Sequence, residues 1–172
     1  MPTALFLNIA PLLDADLPIQ IHVAFALTSI PVGAFVVLRR KRDQLHRICG
    51  YIWVLAMGIV ALSGFWIHTF PIIGPFNPIH LFSVWTLWSL WVGVRHAVRG
   101  RVQDHQATFR SLYWYGLLVA GTFTFLPGRR MNRVVFGEAP DLSLWFIGAV
   151  GVGMAGVYLW RRKTRQSDLN AA

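Results

Sequence analysis

The chain has 172 residues, of which 55% are hydrophobic and 13% charged, with sixteen Lys and Arg against seven Asp and Glu and a formal charge of +9. A soluble domain carries about 25% charged residues, so this balance, with a mean hydropathy of +0.51, excludes an ordinary soluble domain. It describes an integral membrane protein with no length to spare for a second, soluble domain. The single cysteine, Cys49, excludes an intramolecular disulfide and reads as a small buried residue.

In chain order, residues 1–16 read as a periplasmic N-terminal segment whose apolar run Thr3–Leu13 suits the outer interface. It lacks a basic n-region and is followed by Asp14 and Asp16, so a cleaved signal peptide is not expected. A bilayer-spanning helix needs about 20 mainly apolar residues. Five stretches qualify: Leu17–Leu38, Ile48–Phe70, Phe76–Val94, Ser111–Leu126 and Leu142–Trp160. The fourth is short and starts just after Arg110, whose stem is long enough to reach back to the headgroups. The expected fold is therefore all-α, a five-helix transmembrane bundle over residues 17–160, ending in a basic cytoplasmic tail at 161–172.

Lys and Arg collect on the cytoplasmic side of bacterial membranes. With the N-terminus outside, thirteen of them fall inside, in Arg39–Arg47, Arg95–Arg110 and Arg161–Arg165, against three outside, Arg129, Arg130 and Arg133. The expectation is an N-out, C-in, multi-pass protein of the bacterial inner membrane. Basic loops at a membrane meet anionic lipid headgroups, and nothing in the sequence makes a separate case for nucleic acid.

The first and third stretches open alike. Ile21-His22 and Ile79-His80 stand 58 residues apart, and the basic loops that follow end in His46 and His105, 59 apart. Two hairpins in the same orientation, plus a fifth helix with Gly148, Gly151, Gly153 and Gly156, describe a parallel repeat about an axis along the membrane normal. On that reading His22 faces His80 near one surface, and His46 faces His105 near the other. His22, Ala26, Ser29 and Gly33 fall on one helical stripe, and His46, Gly50, Val54, Met57, Ala61, Gly64 and His68 on another. Small residues along such stripes permit close approach of a helix or a flat ligand.

Ionisable residues within membrane spans mark sites by default, which makes His22 and His80 the first candidates. The alternative is a neutral imidazole hydrogen-bonded to a neighbouring helix. His46 and His105 lie at the boundary, His68 is a weaker candidate, and His96, beside Arg95, reads as a surface residue. Imidazole suits iron, copper, zinc and nickel. The spans contain no Asp or Glu and only the solitary Cys49, so a closed four-ligand zinc site is not expected. Two histidines from facing helices match the axial ligation of haem b. His22 with His80 and His46 with His105 would hold two haems roughly 24–30 Å apart along a helix rising 1.5 Å per residue. Arg129 and Arg130, in "LPGRRMNR", would meet haem propionates, an anionic substrate or lipid phosphate. Without intramembrane carboxylates, ion-coupled transport is disfavoured, and there is no phosphate-binding loop and no hydrolase motif.

The segments "HRICGY", "DHQATFRSLYW" and "AGTFTFLPGR", between about His22 and Arg129, resemble a bacterial family of predicted multi-spanning membrane proteins of unknown function, which implies no catalytic residue. The paired histidines on alternate helices are also similar to those of dihaem b-type transmembrane cytochromes, including ascorbate-linked reductases. That likeness is one of site arrangement only, and the near-aqueous position of His46 and His105 departs from it. The expected function is a small b-type cytochrome moving electrons across or within the membrane, with quinone or a redox protein as partner. The alternatives are a cofactor-free accessory subunit of a larger membrane complex, or a channel or carrier for a small solute.

Overall fold

A computed structural model describes residues 8–39, 41–67, 78–137, 141–153 and 155–156. Among the described residues there is no strand; the chain is helical. His68, the tail 161–172, the first residues of Thr3–Leu13 and the end of the Leu142–Trp160 stretch lie outside the described residues. The chain forms two compact units, Leu12–Gly121 and a second made of Met1–Pro11 with Thr122–Ala172.

After a short helix, α1 (Ala10–Leu13), the larger unit continues with α2 (Leu17–Leu38), whose bounds coincide with the first apolar stretch. Pro18 sits in its first turn, where the missing N–H is not needed. Gln20 ties the entry by donating Nε2–H to the carbonyls of Leu13 and Ala15 at 2.9 and 2.8 Å. Helix α3 (Gln44–Gly64) starts four residues before the predicted Ile48, because Asp43 caps it, accepting the His46 backbone N–H at 3.0 Å. Arg39 in turn pairs with the Asp43 carboxylate. Both α2 and α3 are long and apolar enough to cross a membrane.

Helix α4 (Pro78–Val98) extends past the predicted Val94 into Arg95 and His96. The predicted second basic loop is largely helix: Gly100, at φ +69°, makes a tight turn and α5 (Val102–Ser111) follows at once. Helix α5 is amphipathic, with Asp104 and Arg110 at its ends and Phe109 buried, so its average polarity hides it from a search for apolar runs. The helix then widens into a π-helical segment, Leu112–Val119, and continues as α6 (Ala120–Thr122). His105 therefore lies on a helix, as does His46 in the first turn of α3.

Packing places α3 beside both α2 and α4, with α5 against α4 and the π-helical segment against α2. The interior is filled by Trp53, Met57, Leu90, Phe109, Leu112, Tyr113 and Leu117. Trp53 and Leu112 are fully enclosed, and Trp53 meets Phe109 edge-on at 5.4 Å. The small-residue stripes are the buried faces in part. Ser29 and Gly33 are buried on α2, and Met57, Ala61 and Gly64 on α3, but Trp53 and Ala56 share that face and Gly50 has no near neighbour. At Gly93 a Cβ would run into the Phe109 ring, so glycine there lets α5 close on α4.

The smaller unit contains a 3-10 turn (Phe123–Phe125), α7 (Arg130–Phe136) and α8 (Leu142–Gly153). Phe125, Phe136 and Phe146 form an aromatic cluster with centroids 5.4–6.2 Å apart. The Asn8 backbone N–H donates to the carbonyl of Val134 at 3.1 Å. The "LPGRRMNR" segment turns at Gly128 (φ +84°) and becomes the first turn of α7.

Candidate functional site: the histidines of the bundle

His22 and His80 both attach to the Gly64 end of α3. His22 donates its Nδ1–H to the carbonyl of Val60 at 2.9 Å, and the same nitrogen lies 3.1 Å from Ser63 Oγ. The Ser63 hydroxyl donates onward to the carbonyl of Ile59 at 2.7 Å. His80, 9% exposed, donates Nε2–H to the carbonyl of Phe65 at 3.1 Å and stacks on the Phe65 ring, 5.9 Å between centroids and 12° from parallel. A carbonyl only accepts, so the neutral rings are opposite tautomers. His22 keeps Nε2 as its acceptor, whereas the proton of His80 sits on Nε2.

His46 and His105 share the other end of the same unit. His105 donates Nδ1–H to the carbonyl of Gly93 at 2.9 Å and lies edge-on to Phe109 at 4.8 Å. This leaves its Nε2 as acceptor. A ring held through Nδ1–H on a backbone carbonyl is the orientation that metal-ligating histidines adopt. His46 Nδ1 is buried and has no hydrogen-bond partner among the described residues. The two side chains lie within electrostatic reach of each other. His96 is also at this end, its Nδ1 4.0 Å from Asp104 Oδ2.

Outside the bundle's apolar helices, the Arg39 guanidinium beside Asp43, with the His46 N–H, pulls the Asp43 carboxyl from its ordinary 3.8 down to about 2. Asp43 therefore stays ionised and capping over nearly the whole pH range. Arg129 and Arg130 belong to the smaller unit. Arg129, extended at φ −82° and ψ 153°, precedes α7, and Arg130 opens it.

Residue-by-residue reading missed the groups that answer the histidines. Ser63 bridges His22 to α3, and Ser83, Thr86 and Ser89 continue from His80 as a line of buried hydroxyls winding along α4. Ser29, fully enclosed, presents its carbonyl to Trp53. The every-third-residue spacing of His80, Ser83, Thr86 and Ser89 is visible in the sequence, but serine and threonine are common in membrane helices and carry no signal alone. In the smaller unit Asn132 is fully enclosed, donating Nδ2–H to the Phe125 carbonyl at 2.8 Å and to Ser143 Oγ at 2.7 Å. Among the described residues, no cluster of three or more His, Cys, Asp or Glu has the arrangement of a metal site.

Comparison with known proteins gives one assignment. No curated protein and no solved structure gives a significant match. The family model described as "Predicted membrane protein (DUF2306)" matches residues 19–157. That range contains the segments "HRICGY", "DHQATFRSLYW" and "AGTFTFLPGR", together with nearly all of helices α2 to α8. The chain is a membrane protein and belongs to the DUF2306 family, a predicted membrane protein domain of unknown function.

Proposed function

We propose that this protein is a cofactor-free accessory subunit of a larger membrane complex, and that His22 and His80 serve as interhelical clamps. One observation carries the reading: both imidazoles donate to backbone carbonyls at the same end of α3, one from α2 and one from α4. A haem between them would need both rings to present a nitrogen to one iron, and His80 has committed Nε2 to Phe65. The glycines of α8, Gly148, Gly151 and Gly153, are open: among the described residues, a Cβ added at any of them would meet nothing beyond its own helix. Such a surface suits the approach of a helix from a partner.

A second reading has its own support at the opposite end. His105 keeps Nε2 as an acceptor and His46 has a buried ring nitrogen without a hydrogen bond among the described residues, so this pair retains a donor set suited to haem b. Haem would supply one-electron chemistry, and the two histidines would hold and orient it.

One experiment separates the readings. The protein is purified in mild detergent from cells supplied with haem precursor, and visible spectra are recorded oxidised and dithionite-reduced, beside native electrophoresis of solubilised membranes. The accessory-subunit reading expects no α-band and migration within a larger assembly. A sharp reduced α-band that His105→Ala abolishes and His80→Ala preserves would replace it with the electron-transfer reading.

A further inference from the structure

Along α4 and the turn that follows it, two rows run side by side. Leu90, Val94 and Val98 form one, and Trp91, Arg95 and Arg99 the other, each stepping by four residues and so each on one line of the helix. With Val54 of α3 they line a groove of about 550 Å³, within the roughly 300–1,000 Å³ of small-ligand sites. The groove is apolar along its length and cationic at the end where α4 turns into α5. Arg95 is fixed against that wall, its guanidinium 4.9 Å from the centre of the Trp91 ring. Among the described residues neither Arg95 nor Arg99 has an acidic partner, the ion pairs being Arg39 with Asp43 and His96 with Asp104.

We propose that this groove binds an anionic phospholipid, with an acyl chain along Leu90, Val94 and Val54 and the phosphate between Arg95 and Arg99. Charge and shape choose this occupant together. Guanidinium groups recognise phosphate through paired N–H donors, and two of them at one rim call for an anion. An apolar wall leading away from that rim calls for a hydrocarbon attached to the same anion. A small soluble phosphate would leave the wall uncovered, and a zwitterionic lipid would bring a choline against two cations. The groove is open to the side, with Val98 83% and Trp91 52% exposed, as a site filled from the bilayer requires. Such a lipid would join α3 to α4 within the larger unit.

The test uses the full chain in neutral detergent, titrated with phosphatidylglycerol carrying brominated acyl chains, which quench tryptophan fluorescence on contact. Brominated phosphatidylcholine and glycerol 3-phosphate are the comparison probes. Saturable quenching by phosphatidylglycerol at least tenfold tighter than by phosphatidylcholine is expected. Trp91→Phe should remove most of that saturable component, and the double variant Arg95→Gln/Arg99→Gln should reduce phosphatidylglycerol to the phosphatidylcholine level. Both arginines are exposed and outside the buried core, so their substitution leaves the core intact. Arg47→Gln, an exposed cation of α3 outside the groove, should leave affinity unchanged. Equal loss in Arg47→Gln would mean diffuse attraction to a basic surface and overturn the site. Equal binding of phosphatidylcholine, competition by glycerol 3-phosphate as strong as by the lipid, or quenching indifferent to Trp91→Phe would overturn it too.

Discussion

The indole N–H of Trp53 donates to the backbone carbonyl of Ser29 at 3.1 Å, from the centre of α3 into the middle of α2. Tyr113 donates its hydroxyl to the next carbonyl along, that of Ile30, at 3.3 Å. The N–H missing at Pro31 would have gone to the Leu27 carbonyl, one turn back; the carbonyls of Ser29 and Ile30 take these two aromatic donors on the second lone pair that a helical carbonyl keeps. Gly33 makes the approach possible, since a Cβ there would collide with the Trp53 indole and the Tyr113 ring.

Trp53→Ala should therefore lower stability by about 3–5 kcal/mol, as expected for emptying a fully enclosed tryptophan site. Gly33→Ala should cost about 1–3 kcal/mol through overpacking. Both are read from unfolding in mixed micelles with a denaturing detergent. A Gly33→Ala protein as stable as the parent would show that α2 and α3 are not in contact at this level.

His22 and Ser63 meet across the same pair of helices. A double-mutant cycle of His22→Ala and Ser63→Ala should give a coupling of about 0.6 kcal/mol, with about 1.7 as the upper end for such membrane bonds. Strict additivity of the two changes would confine the clamp to the bond with the Val60 carbonyl.

Asp43 gives a pH dependence with a definite sign. Its carboxyl is lowered in the folded protein from 3.8 to about 2, through the Arg39 guanidinium first and the His46 N–H second. A depressed folded pKa contributes stability that is complete above 3.8 and is lost as the pH falls through 2. Thermal midpoints of the parent should fall over that window, and Asp43→Asn, which cannot ionise, should show a smaller fall. Because the pair is exposed, added salt should weaken the difference.

In the smaller unit, Asn132→Ala should cost about 1–3 kcal/mol by stripping partners from enclosed polar groups. Asn132→Asp, of the same shape but lacking the two Nδ2 donors to Phe125 and Ser143, should not rescue it. Rescue by Asp, read in the same unfolding assay, would mean that Asn132 acts by shape alone.

How far these features are legible in the sequence varies with the physics behind each. The bounds of α2 follow from an apolar run that starts at Leu17 with Pro18 in the first turn and stops before Arg39, so composition and helix geometry coincide. They part company at α3, where the Asp43 cap starts the helix inside a polar segment, and again at α5, where an amphipathic helix buries only Phe109. The Leu112–Val119 π-helical segment has no sequence signature of its own. Within it Leu112, Tyr113 and Leu117 are buried.

Membrane residence, helical class and the choice of histidines as the unusual groups were determined by the amino-acid sequence alone, because they depend on transfer of side chains from water to hydrocarbon, which is a property of composition and local run length. The partners of those histidines were decided only by tertiary structure. Val60 and Ser63 are 38 and 41 residues from His22, and Phe65 is 15 from His80. A backbone carbonyl is offered by every residue of the chain. Which one receives an imidazole proton depends on how α2 and α4 are seated on α3, set by the bulk of Trp53 and the absence of side chains at Gly33 and Gly64.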